Sequence, residues 1–205
     1  LYGSNAIGGV VNIITKEPTR NSASISHTLT SIGLSSALHN TTDINASIVS
    51  DDNKLGLAVF GQNTSKDAWD ANGDGFTELS KISGQTIGFR GYIKTGLYSK
   101  LTLEYHHLEE FRRGGDNLDL PPHEAMIAEQ TKHGINTGGL KYDWFSQNQK
   151  HRLNAFASMQ HINRESYYGA GMDPNAYGQT TDLTWVAGAQ YVYKFTNRSE
   201  ERRVG

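Results

Sequence analysis

Apolar and polar side chains alternate over long stretches of this chain, and this period of two restricts the fold more than any other feature. The pattern is clearest at 86–94, 101–106, 152–160 and 184–195, where apolar residues occupy every second position. Successive side chains of a β-strand point to opposite faces of a sheet. No stretch after Pro18 keeps a 3.6-residue period long enough for a major helix. The sequence therefore predicts an all-β protein whose sheet has one apolar and one polar face.

Turn residues divide the chain into eight predicted strands, joined by connections of two kinds. Short connections at 51–53, 95–98 and 146–149 alternate with long ones near 65–81, 111–130 and 165–180. Outer-membrane barrels have short periplasmic turns and long external loops. The alternation therefore predicts an antiparallel transmembrane β-barrel with its three long loops outside the cell. The predicted strands lie at 22–32, 36–50, 54–64, 82–95, 99–110, 131–146, 149–164 and 181–196.

Composition agrees with such a barrel and excludes several other classes. Hydrophobic residues make up 36% of the 205 residues, and no run reaches the about 18 apolar residues that a membrane helix needs. Barrel strands show only alternate residues to lipid, so their average hydropathy stays low. The net charge of −2, without a basic stripe, argues against nucleic acid as a partner. The absence of cysteine excludes disulfides and thiolate metal sites.

The first long connection contains an acidic motif of the D-x-N-x-D-G type. Asp70, Asn72 and Asp74 occupy its first, third and fifth positions, and Glu78 its ninth. Calcium prefers several oxygen ligands on a sharply turned backbone, which the glycine at the sixth position permits. The twelfth position is Lys81 instead of a bidentate glutamate, so an EF-hand is excluded. The sequence predicts either a calcium site at these four residues or a solvated acidic loop.

The second long connection contains two adjacent arginines. Arg112 and Arg113 are suited to hold an anionic group of a ligand, since guanidinium groups bind carboxylates and phosphates in a bidentate manner. Asp116 and Asp119 follow closely and offer the alternative of internal ion pairs. Both interpretations stay open from the sequence.

The third long connection combines aromatic residues with small flexible ones, a composition typical of adaptable binding surfaces. Tyr167, Tyr168 and Tyr177 are its candidate ligand contacts. The alternative is that aromatic residues of this chain gather at a membrane interface, as they do in barrels. Acids and histidines lie without catalytic spacing, so we do not expect an enzyme.

The first sixteen residues, LYGSNAIGGVVNIITK, carry the most specific signal. Glycines precede a β-branched run that ends at Lys16. A phosphate-binding loop is excluded, because Gly9 and Val10 stand where Lys and Ser or Thr are required. The segment closely resembles the last strand of the plug domain in TonB-dependent outer-membrane receptors. Residues 111–124 resemble a loop of such receptors from Bacteroides-type bacteria.

This resemblance implies the domain organisation. Residues 1–16 are expected to end the plug, and residues 17–197 to supply about eight strands of a barrel that has 22 in the family. Residues 198–205, RSEERRVG, read as the translation of a sequencing adapter and are interpreted as a non-native tail.

The resemblance also implies a function, which is active uptake of a scarce nutrient such as cobalamin or a ferric siderophore across the bacterial outer membrane. The implied partners are outer-membrane lipid, the small-molecule ligand, a surface lipoprotein, and the TonB energising complex acting on a part of the plug that this sequence does not include. Some cobalamin receptors order their loops with calcium. The alternatives are a passive porin-like barrel and a secreted calcium-binding β-rich adhesin.

Overall fold

A computed structural model describes residues 17–195 as one antiparallel sheet of eight strands. Each strand pairs with the next in chain order, and β1 and β8 form the two edges. This arrangement confirms the predicted all-β class and the number of strands. The strands are β1 (Ser22–Ser31), β2 (Leu38–Val49), β3 (Leu55–Lys66), β4 (Lys81–Gly96), β5 (Ser99–Gly115), β6 (Ile127–Phe145), β7 (His151–Ala170) and β8 (Tyr177–Tyr193).

Only one helical turn accompanies the strands in the described part of the chain, a 3₁₀ helix at Pro122–Glu124. Within 17–195, no helix has the length and apolar character needed to cross a membrane. The predicted plug strand at 1–16 and the predicted tail at 198–205 lie outside the described residues.

The connections lie at two ends of the sheet. The turn end holds the connections at 50–54, 97–98 and 146–150, and the loop end holds those at 32–37, 67–80, 116–126 and 171–176. The third long loop, predicted at 165–180, is wrong in its bounds, because β7 and β8 extend into it. The second is also shorter than the predicted 111–130. Hydrogen bonds between strands need no apolar side chains, so the strands continue where the alternation has ended.

Two turns at the turn end use the same local design. In 50–54 the side chain of Asp52 accepts from the amide of Lys54 at 3.0 Å, and Asn53 takes φ 53°. In 146–150 Asn148 accepts from the amide of Lys150 at 3.1 Å, and Gln149 takes φ 55°. Asx side chains that bond the backbone two residues on favour such turns. These turns set the register of the hairpins that follow.

The register joins the apolar positions of neighbouring strands into continuous rows, since paired residues share one face of the sheet. Three such rows at the turn end form a surface that we call the apolar belt. The first row is Leu55, Ile93, Leu101, Tyr142, Ala155 and Ala189. The second is Ile48, Leu57, Gly91, Leu103, Leu140, Ala157 and Ala187. The third is Ala46, Val59, Phe89, Tyr105, Gly138, Met159 and Trp185.

The same face changes character toward the loop end. Four residues beyond the third row, the register joins a polar row across all eight strands. Its members are His27, Thr42, Asn63, Gln85, Glu109, Gly134, Asn163 and Thr181. One face of one sheet is thus divided into an apolar and a polar zone by residue type alone.

The opposite face, which we call the polar face, carries ion pairs and amide contacts. Arg90 lies 3.3 Å from Glu104, and Lys141 lies 3.1 Å from Asp143. Asn154 donates to the same Asp143 at 2.7 Å. The alternation predicted from the sequence is therefore confirmed, with apolar and polar residues on opposite faces at the turn end.

Apolar burial is scarce in this sheet. Among residues 17–195 the buried apolar side chains are few, namely Val49, Tyr92, Ala125, Ala128 and Tyr167 with the prolines Pro18 and Pro122. The belt is exposed, and Trp185 shows 73% of its surface. A sheet normally buries its apolar face against a second layer, and here the described residues supply none over the belt.

Candidate functional site

The loop end carries all the residues that the sequence singled out. The connection at 67–80 closes on itself through a β-bridge between Trp69 and Leu79. Within it, carboxylate oxygens of Asp70, Asp74 and Glu78 lie within 4.8 Å of one another. Three of the four predicted calcium ligands therefore come together.

Local hydrogen bonds hold this acidic cluster in place. Asp70 accepts from the amides of Gly73 at 2.7 Å and Gly75 at 2.8 Å, and Glu78 accepts from the amide of Ala71. The bond from Gly75 is the main cause that lowers the pKa of Asp70. Gly75 takes φ 90°, a conformation open to glycine at no steric cost. Three carboxylates at this spacing are suited to a divalent cation, with water completing the six to eight oxygens that calcium takes.

Asn72 does not join the carboxylate cluster. Its side-chain oxygen accepts from the amide of Asp74 at 3.0 Å, and its amide group donates to the Asp74 carboxylate. Its place in the loop is thus that of a turn residue.

The two arginines point to opposite faces of β5, because they are adjacent in a strand. Arg112 lies on the polar face and makes a bidentate pair with Glu110, at 2.7 and 3.3 Å. It lines a hollow of about 330 Å³ together with Glu129, His133 and Tyr168. The prediction that Arg112 pairs with Asp116 or Asp119 is wrong, because its partner is Glu110, two residues away on the same strand.

Arg113 lies on the other face and is 2% exposed. Its guanidinium donates to the carbonyl oxygens of Gly114 and Asp116, the second at 3.2 Å. The Asp116 carboxylate turns away to accept from the amides of Ile127 at 2.9 Å and Met126 at 3.3 Å. These bonds lower the pKa of Asp116, with that from Ile127 the largest cause. Arg113 and Asp116 thereby fix the loop at 116–126 to the strands.

Tyr167 completes this cluster from β7 and is fully buried. Its hydroxyl donates to the Asp173 carbonyl at 2.9 Å, and its ring packs edge-on against Tyr177 at 4.9 Å between centroids. Ala125 and Ala128 pack beside it. We call Arg113, Asp116, Ala125, Ala128 and Tyr167 the cap cluster.

The three tyrosines predicted for one flexible loop therefore occupy strands. Tyr167 and Tyr168 belong to β7, and Tyr177 begins β8. Tyr168 faces the hollow beside Arg112 and is 58% exposed, while Tyr177 accepts or donates a 2.7 Å hydrogen bond with His123. Of the five predicted ligand contacts, Arg112, Tyr168 and Tyr177 present accessible groups, and Arg113 and Tyr167 are enclosed by the cap cluster.

The charged or titratable residues of the hollow that the sequence did not single out are Glu110, Glu129 and His133. They lie on two strands, β5 and β6, and only the register of these strands brings them together. No local sequence pattern indicates that these residues belong to one site.

Comparison with known proteins identifies no relative, since no protein-family model, no curated protein and no solved structure matches this chain.

Proposed function

We propose that this chain is part of a TonB-dependent receptor of the bacterial outer membrane, with residues 17–195 forming a section of its barrel wall. The apolar belt carries the proposal. Its three rows expose leucine, isoleucine, alanine and aromatic side chains that no described residue covers. An outward apolar band flanked by aromatic residues is what a barrel presents to lipid.

The dimensions of the belt support a membrane environment. On β8 the apolar positions run from Leu183 to Tyr193, about the 9–11 residues that a tilted strand needs to cross the hydrocarbon layer. Aromatic residues stand at both margins, with Trp185 toward the loop end and Trp144, Tyr191 and Tyr193 toward the turn end. Tryptophan and tyrosine favour membrane–water interfaces.

The path of the chain before β1 favours a receptor over a passive porin. Glu17 lies 2.6 Å from Lys100 of β5 on the polar face, although β1 is four strands away in the sheet. The chain therefore reaches β1 from the polar side, which is the lumen side of the proposed barrel. Arrival from this side agrees with the proposed plug domain, which lies inside the barrel in such receptors.

The proposed ligand is a scarce nutrient such as cobalamin or a ferric siderophore, taken up at the loop end of the polar face. The hollow beside Arg112 and Tyr168 lies there and offers one cationic and several polar groups. Calcium at Asp70, Asp74 and Glu78 would order the neighbouring loop. Outer-membrane lipid, the TonB complex and a surface lipoprotein are the proposed partners.

An uptake experiment tests this function. The complete gene is expressed in a bacterium that lacks its own receptors, and labelled cobalamin and ferric siderophores are offered with and without a functional TonB complex. We expect uptake of one ligand class that stops when TonB is removed. Uptake that persists without TonB would favour the passive barrel, and extraction of the protein without detergent would favour the secreted adhesin.

A further inference from the structure

Residues 17–21 form a short segment that we call the strap, which crosses the polar face at the turn end before β1 starts. Two contacts fix it to β2, where the Ser47 hydroxyl donates to the Arg20 carbonyl at 2.8 Å and the Val49 amide donates to the Asn21 side chain at 2.7 Å. A third contact joins Glu17 to Lys100 on β5. The strap thus spans β3 and β4 between its two attachments.

A buried row lies between these attachments. The register joins Val49, Gly56, Tyr92 and Thr102 across β2 to β5, and all four are buried. The Tyr92 ring lies over Gly56, where a Cβ atom would come within 2.3 Å of it. Pro18 of the strap is buried as well. The strap therefore packs on this buried row of the sheet and does not extend into solvent.

The β5 attachment lies in a strongly cationic place. Lys94 and Lys100 are direct cross-strand partners, and like charges in such positions repel. Both line a hollow of about 390 Å³ with Lys141 and Arg152. The acidic residue of this hollow, Asp143, is the cross-strand partner of Lys100 on β6, and its carboxylate binds Lys141 at 3.1 Å and Asn154 at 2.7 Å. Glu17 is the carboxylate that contacts Lys100.

We propose that the strap is an electrostatic latch, closed by Glu17 on the Lys94–Lys100 pair and hinged at its attachment to β2. Closing it relieves the repulsion between the two lysines. Opening it frees Glu17 from β5 and leaves the cationic hollow without this carboxylate. The ion pair between Glu17 and Lys100 is partly solvent-exposed, so salt weakens it. This latch does not depend on the identity of any ligand.

Spin labels on the full chain in detergent test the latch. The chain has no cysteine, so Thr19→Cys and Leu97→Cys place two labels without other changes. Thr19 lies in the strap, and Leu97 is a fully accessible residue of the β4–β5 turn. Electron–electron double resonance then measures the distance between strap and β5. At low salt we expect one narrow distribution.

Lys100→Gln should convert at least half of the molecules to a broad distribution at longer distance. The parent chain should do the same in about 0.5 M sodium chloride, where screening acts over a few ångströms. The charge exchange Glu17→Lys with Lys100→Glu should restore the narrow distribution. Lys54→Gln is the matched control, because Lys54 pairs with Asp52 in a turn of the same end and does not touch the strap.

A narrow distribution that survives both Lys100→Gln and high salt would overturn the latch. Failure of the charge exchange to restore it, with the far-ultraviolet spectrum of the sheet unchanged, would overturn it too. The salt series on the parent chain decides the question if Lys100→Gln does not fold. None of these readouts involves uptake, so the latch can fail while the receptor function stands, and the reverse.

Discussion

One face of the sheet exposes its apolar side chains at the turn end and buries them at the loop end. At the turn end the belt leaves its apolar rows open, and Trp185 is 73% exposed. At the loop end, beyond the polar row, the chain folds loops back over the strands and encloses Tyr167 completely. The strands and register are the same at both ends. The loop end therefore covers its apolar side chains within the chain, whereas no described residue covers the apolar rows of the turn end.

The largest expected effect is a loss of stability when the cap cluster is disrupted, in comparison with a substitution on the opposite face. Tyr167→Ala should lower the free energy of unfolding by about 3–5 kcal/mol, because it leaves a cavity and an unpaired Asp173 carbonyl. Tyr168→Ala, one residue on and on the opposite face, should change it by less than about 0.5 kcal/mol. Denaturant unfolding of both variants in detergent measures this. Equal losses would show that the loop end has no core of its own.

The second effect compares the two zones on a single strand. Ala157→Arg places a charge in the middle belt row and should cost about 2–4 kcal/mol in lipid vesicles. His161→Arg lies four residues away on the same face of β7, outside the belt, and should cost about 0–1 kcal/mol. Urea unfolding from vesicles gives both values. Similar costs at the two positions would contradict the division of this face into an apolar and a polar zone.

The sequence predicted the belt more fully than the loop end. Alternation reports on residues such as Leu101 and Leu103, whose face is set by a local period of two. Beyond the belt both faces are polar, so the pattern ends while the ladder continues, and Tyr167 was therefore predicted in a loop. The acidic cluster was predicted because Asp70 and Glu78 are close in sequence. The contact of Glu17 with Lys100 joins residues 83 positions apart, and no local sequence pattern indicates it.

The third effect is a pH dependence confined to the loop end. The pKa of Asp116 is lowered in the folded state, so its bonds to Met126 and Ile127 contribute fully above the unfolded value of about 3.9 and are lost as the pH falls through the folded value. The protection factor of the Ile127 amide against hydrogen exchange should therefore fall under these acidic conditions. In Asp116→Asn this protection factor should already be lower at neutral pH and should change little with pH. An unchanged pH profile in this variant would contradict the assignment.

The smallest effect concerns calcium and leaves the sheet unchanged. If the acidic cluster binds calcium, millimolar calcium should protect the 67–80 connection from proteolysis, and Glu78→Gln should weaken this protection about tenfold, since it removes one charged ligand. Asp51→Asn, in a turn at the other end of the sheet, is the control and should leave it intact. Equal protection with and without calcium would favour the solvated acidic loop.

Quenching of tryptophan fluorescence by brominated lipid tests the central difference between the ends most directly. Two single-tryptophan chains keep either Trp185 in the belt or Trp69 in the 67–80 connection, with the other tryptophans changed to phenylalanine. In vesicles with bromine on the acyl chains, we expect strong quenching of Trp185 and almost none of Trp69. Equal quenching of the two, or none of Trp185 in vesicles that hold the folded sheet, would contradict a lipid-facing belt.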